Sequence, residues 1–195
     1  HKINSLSVLF RSVIQKRRLY YMANTWTLNN QGIAFAASKV MAGILNAGTR
    51  VLRIARMGLL NNQTAGVTGV ACFMEIRKYP ATMTWTSPTS VTSISHDSTN
   101  SALSSVTAGN SGTPGGSTGL VLRRIFWSSD EPSISTATSD ELECFVPLNV
   151  IWDAGYGDST VQKVTVRQNE GFILYNTTGA AGIVDIWTEF LDEAS

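Results

Sequence analysis

Histidine is nearly missing from this 195-residue sequence: there are two, His1 and His96. With one of them at the extreme N-terminus, a His-based catalytic triad or a multi-His metal site is excluded for the body of the chain. Charge is also scarce. Asp, Glu, Lys and Arg make up 15% of residues, against about a quarter in an ordinary globular protein, and Ser, Thr, Gly and Asn take their place. Such a composition suits a β-rich protein with many turns. Long apolar runs are absent, and none approaches the roughly 20 residues of a membrane-spanning helix. Two cysteines, Cys72 and Cys144, are too few for a disulfide scaffold. Both sit in apolar strand patterns, where free Cys packs as a small hydrophobe, so both are expected as unbridged buried thiols; facing strands would allow a disulfide. No phosphate loop, nucleophile elbow, dinucleotide fingerprint or paired CxxC is present.

The net charge of +1 hides an asymmetry. Residues 1–21 carry Lys2, Arg11, Lys16, Arg17 and Arg18 and no acid; the rest holds ten basic against 14 acidic residues, a net of −4. A mildly acidic body argues against a nucleic-acid-binding surface. Within 1–21, Ile3, Leu6, Leu9, Phe10, Val13 and Ile14 form an amphipathic helical stripe ahead of the basic cluster. One reading is a basic membrane-surface helix. A secretory signal fits less well, because the basic cluster follows the apolar part. The favoured reading is a translated leader: Lys16-Arg17-Arg18 can be encoded as AAA-AGG-AGG, a bacterial ribosome-binding sequence, a short spacer before Met22-Ala23. Residues 1–21 are then set apart from a single domain over 22–195, and the genome is bacterial or phage.

What the chain has in quantity is strand pattern. Val51 to Tyr79 reads as two long strands about the polar turn Asn61–Gly66. Val70, Cys72, Met74 and Ile76 share one face, while Gly69, Ala71, Glu75 and Arg77 share the other with Phe73 as the large apolar exception, a period of two. The expected form is a hairpin whose apolar face is covered by a second sheet. Upstream, Thr25–Leu28 is a short strand. Ala36, Val40, Met41, Ile44 and Leu45 fall at helical spacing and Gly48 stands where a C-terminal cap belongs, so one short helix is expected there. Further strands follow at Ala81–Thr86, Val91–Ile94, Leu120–Trp127 (with Arg123 and Arg124 in its middle), Glu143–Trp152, Gln162–Arg167, Phe172–Tyr175 and Ile183–Phe190. Residues 96–118, rich in Ser, Thr, Gly and Asn, read as a long surface loop. The total of about nine or ten strands with one helix near the N-terminus predicts an all-β sandwich of jelly-roll type.

Candidate chemistry is thin. His96-Asp97 reads as a turn pair. The acidic run Ser139-Asp140-Glu141-Leu142-Glu143 can offer two carboxylates for glycoside hydrolysis, but fits a solvated turn better. Asp153 and Asp158 flank a Gly-rich turn and are the weak Ca²⁺ candidates, since that ion seeks carboxylate and carbonyl oxygens; their spacing is not that of an EF-hand, and plain turn chemistry is the simpler reading. Trp26, Trp85, Trp127, Trp152 and Trp187 can stack on sugar rings if exposed, though all lie in strand patterns that suit core packing. No catalytic residue and no cofactor is expected.

Leu59-Leu60-Asn61-Asn62-Gln63-Thr64, Ile125-Phe126-Trp127-Ser128-Ser129-Asp130-Glu131-Pro132 and Val150-Ile151-Trp152-Asp153, together with the Arg167-Gln168-Asn169-Glu170-Gly171 turn and the strand from Asp185 to Phe190, resemble segments of small virion-associated β-sandwich proteins of tailed phages. The resemblance spans about Met22 to Phe190. It implies a non-enzymatic structural subunit, such as a capsid decoration or a minor head or tail protein, made in the bacterial cytoplasm and located in the particle. The partners it implies are other copies of the chain, in a closed homo-oligomer with a trimer suggested by the viral likeness, and other particle proteins; neither nucleic acid nor membrane is expected. The alternative is a carbohydrate-binding module or receptor-binding tip that uses exposed Trp residues and the 96–118 loop to hold a glycan.

Overall fold

The structure is a computed structural model that describes residues 24–62, 70–101, 103, 105–129, 148–155, 162–179 and 182–193. The described residues form strands and turns, with no helix among them. The first large sheet, sheet A, runs β11 (Leu148–Asp153), β3 (Val51–Asn61), β14 (Ile183–Glu193), β1 (Asn24–Ala34) and β7 (Ile94–Ser95), with β12 (Val164–Val166) also pairing with β3. The second, sheet B, runs β10 (Leu120–Ser129), β4 (Val70–Tyr79), β13 (Glu170–Asn176), β2 (Lys39–Asn46), β8 (Val106–Asn110) and β6 (Thr89–Ser90). A small pair, β5 (Thr84–Thr86) with β9 (Thr113–Gly115), makes a third sheet. All pairings are antiparallel.

The all-β sandwich expected from the pattern is present, but two elements differ. The expected helix is strand β2. Val40, Met41, Ala42 and Ile44 are all buried, because β2 has the main core on one side and the third sheet on the other. A strand buried on both faces is a continuous apolar run, and such a run also satisfies helical spacing. The expected hairpin of Val51 to Tyr79 is not a hairpin. β3 pairs with β14, β11 and β12 in sheet A, while β4 pairs with β10 and β13 in sheet B. Alternation reports which face of a strand is buried and carries no information about its neighbour. The faces were legible: Cys72, Met74 and Ile76 are fully buried, as are Leu52 and Ile54.

The same crossing recurs along the chain, and among the described residues no strand pairs with the strand next to it in order. Of the twelve strands in the two large sheets, eight pair in nested fashion. β1 pairs with β14, β2 with β13, β3 with β11, and β4 with β10. Between the sheets lies the core, with Trp26, Leu28, Ile44, Met57, Met74, Phe172 and Phe190 among its residues; each such aliphatic or aromatic side chain contributes about 1.5–3 kcal/mol by leaving water. Buried asparagines tie the turns. Asn46 donates from Nδ2 to the carbonyls of Arg50 (2.7 Å) and Val166 (3.1 Å) and accepts from the Gly48 amide (3.0 Å). Gly48 therefore marks a turn between strands, not a helix cap.

Residues 96–118 are not one long loop. They supply β7's flank, β8 to sheet B and β9 to the third sheet, with Ala108 and Asn110 buried. The low side-chain volume that made the stretch look like loop is what packing requires there. A Cβ on Gly109 would collide with the backbone carbonyl of Thr89 on β6.

The third sheet covers part of the outer face of sheet B. Val40, Tyr79, Met83, Trp85 and Ile173 form a second small core there. Trp85 lies over Gly43, where a Cβ would stand 2.9 Å from the indole, and its Nε1 donates to the Ser111 carbonyl at 2.9 Å. Met83 sits over Gly171 in the same way.

Candidate functional site

The rest of that outer face is open, along β4 and the edge strand β10. Phe73 and Phe126 are direct cross-strand partners, with ring centroids 5.0 Å apart and planes tilted by 52°. They are 55% and 57% exposed, and Leu120, Val121 and Leu122 on the same edge strand are exposed too. Isolated exposed apolar residues need no explanation, but two exposed rings in mutual contact make a candidate interaction surface.

Phe73 is held on a fixed backbone. Its amide donates to Thr178 Oγ1 at 2.9 Å, and its carbonyl accepts from the amide and hydroxyl of Thr177 at 2.9 and 2.8 Å. Its opposite edge is paired with β10. An exposed ring on a backbone tied from both sides has little entropy left to lose on contact.

Two pairs further along, on the same face, Glu75 faces Arg124. The Glu75 carboxylate accepts from Arg77 Nε (2.8 Å) and Nη2 (2.6 Å) at one oxygen and from Arg124 Nε (3.1 Å) at the other. Glu75 is buried, whereas the Arg124 side chain is 79% exposed. Arg77 also lies over the Tyr175 ring, 3.9 Å from its centroid. Burial pulls the Arg77 pKa down, but its bonds to Glu75 and Tyr79 outweigh that and raise it, so the cation is permanent. On the inner side of β10, Arg123 reaches across the open side of the sandwich. It donates to the Ile151 carbonyl of β11 at 2.9 Å and lies 5.9 Å from the Trp152 ring. The edge thus combines an aromatic shelf with three guanidinium groups, two of which share the Glu75 carboxylate.

The residues singled out from the sequence fall elsewhere. Asp153 accepts from Arg56 Nε at 3.2 Å and, through Oδ1, from the Gly155 amide at 2.9 Å, which is turn and ion-pair chemistry. Asp158 lies outside the described residues, as do Cys144 and the run 139–143. Among the described residues no three of His, Cys, Asp and Glu gather as metal ligands would. Asp97 accepts from the amide and hydroxyl of Thr99 at 2.9 and 2.7 Å, and these bonds lower its pKa. His96 Nε2 is 2.7 Å from Thr27 Oγ1. Both are turn residues. Cys72 is a free, fully buried thiol, and burial pushes its pKa up to about 11.

The tryptophans do not form an open platform. Trp26, Trp85 and Trp127 are buried, and Trp152 and Trp187 are half-buried. Trp152 packs on Phe172 (ring centroids 6.1 Å apart), and Trp187 lies over Gly58. This is the packing that their strand patterns suited, and the alternative that needed exposed Trp residues does not find them here. The exposed aromatic pair is Phe73 with Phe126; its signal was Phe73 breaking the polar face of an otherwise alternating strand. A shallow depression of about 300 Å³ near β6 and β8 is lined by Ser90, Val91, Thr92, Leu103 and Thr107 among others. None of its lining side chains titrates, so it offers no acid or base. Compared with protein-family models, curated proteins and solved structures, the chain matches none.

Proposed function

We propose that the chain is a non-enzymatic structural subunit of a phage-type particle, a capsid decoration or a minor head or tail protein, that acts by protein–protein assembly. The observation that carries this reading is the exposed Phe73–Phe126 pair, with further exposed apolar residues, Leu120, Val121 and Leu122, at the start of β10. It stands on a hydrogen-bonded sheet, and its chemistry suits contact with another protein. The jelly-roll form of the sandwich is supported by the nested pairing of first with last strand through fourth with fifth, in β1, β2, β3, β4, β10, β11, β13 and β14. Jelly rolls serve both capsids and lectins, so the fold alone does not choose between them.

The glycan-binding alternative loses its five Trp candidates to packing, and the Phe73–Phe126 pair is tilted where a flat platform would suit a sugar face. Assembly is the better reading. Light scattering of the purified chain tests self-association, with a closed homo-oligomer burying more than about 1,000 Å² per interface expected. Cosedimentation with empty phage capsids tests binding to the particle. A monomer at high concentration that binds arrayed glycans and no particle component would overturn the reading.

A further inference from the structure

β10 pairs with β4 on one side and has no partner on the other among the described residues. Half of the backbone N–H and C=O groups of such a strand face outward and can template another strand. We infer that the free edge of β10 receives an extended, acid-bearing segment of a partner protein as an added antiparallel strand. This rests on the assembly reading and specifies the surface and the chemistry of the partner.

Charge selects this occupant. The chain from Met22 onward is net acidic, yet this edge is basic. Glu75 is shared between Arg77 and Arg124, which leaves one positive charge in excess. Among the described residues Arg123 has no carboxylate partner; its guanidinium meets the Ile151 carbonyl and the Trp152 ring. A second copy paired antiparallel by two-fold symmetry about Arg124 would bring Arg124 against its own duplicate and set the two Arg123 residues diagonally across the strands. Like charges opposed across strands are destabilising, and a charged edge strand is a known device against self-pairing. A strand carrying carboxylates turns the same feature into charge-assisted hydrogen bonds.

The register sharpens the pattern. Arg124 and Phe126 project from the same face, two residues apart, with Glu75 and Phe73 beside them. An added strand repeats that period. The matching segment therefore places an Asp or Glu opposite Arg124 and an apolar residue opposite Phe126, so that the latter rests on the Phe73–Phe126 shelf. A second acid on the other face meets Arg123.

The test uses the full chain and three labelled nine-residue peptides that alternate valine with glutamate, glutamine or lysine, read by fluorescence anisotropy. The glutamate peptide is expected to bind at least tenfold more tightly than the glutamine one, to weaken with salt, and to slow hydrogen exchange of the β10 amides. The R123E/R124E variant should reverse the preference in favour of the lysine peptide, a gain that misfolding cannot mimic. Phe126→Ser should weaken every peptide that binds. Equal affinity for the three peptides, or protection elsewhere than β10, would overturn the inference. So would a dimer of the chain that R123E/R124E abolishes while no peptide binds, which would make a second copy the occupant. If the peptides fail while cosedimentation with capsids persists, the inference falls and the assembly reading stands; if cosedimentation also fails and glycans bind, the assembly reading falls with it.

Discussion

Phe73 and Met74 are adjacent on β4 and face opposite ways, so one pair of substitutions separates the core from the interaction surface. Met74 is fully buried between the sheets. Met74→Ala removes Cγ, Sδ and Cε; at about 0.8 kcal/mol per methylene-sized group that is about 2.4 kcal/mol of transfer free energy. The cavity left behind raises the loss to about 3–4 kcal/mol. Phe73 already has more than half its surface in water, and its particular contact is the tilted stack on Phe126, worth about 0.5–1.5 kcal/mol. Phe73→Ala in the isolated chain should therefore cost about 1 kcal/mol. Urea unfolding followed by the fluorescence of buried Trp26 and Trp127 reads both. With a slope of about 2 kcal/mol per molar, the midpoint should fall by roughly 1.5–2 M for Met74→Ala and roughly 0.5 M for Phe73→Ala. Association should respond in reverse order: the Phe73 variant should lose capsid binding while remaining folded. Any self-association through this face shows as a midpoint that depends on protein concentration. Equal destabilisation by the two substitutions at low concentration would refute the assignment of faces and with it the open surface.

Three further outcomes follow from the packing. Trp85→Ala should free the third sheet and cost about 3–5 kcal/mol, with faster hydrogen exchange at Thr84–Thr86 and Thr113–Gly115 and little change at β14; Gly43→Val, which puts a side chain where the indole lies, should do the same. Asn46→Ala removes three bonds that close a turn and leaves the buried Val166 carbonyl short of a donor, a loss of about 2–4 kcal/mol by thermal denaturation. Cys72 should resist alkylation until the chain unfolds. Its folded pKa is raised, so its contribution is intact below the ordinary thiol value near 9 and is lost as pH rises through the folded value of about 11; stability should fall in that window, by at most about 2–3 kcal/mol, and Cys72→Ala should flatten the fall.

The sequence by itself determined the class of the fold and most of its buried faces. Period-two alternation placed Cys72, Met74 and Ile76 inside, because side chains of a strand point to opposite sides by geometry alone. It also marked Phe73 as the apolar exception on a polar face and set Arg123 and Arg124 in the middle of a strand, and these stand at the candidate surface. Partnership was decided only by tertiary structure. Nothing local in β3 and β4 says that they belong to different sheets, since a strand's hydrogen-bond partner depends on residues more than a hundred positions away, as when β14 joins β3. The helix expected at Ala36–Leu45 failed for the same reason: a strand covered on both faces, by the core and by the third sheet, loses the alternation that would identify it. Trp exposure was likewise a tertiary matter. Gly43 and Gly58 provide the room in which Trp85 and Trp187 lie, and a glycine's role as a seat for a distant ring exists only once the chain has folded.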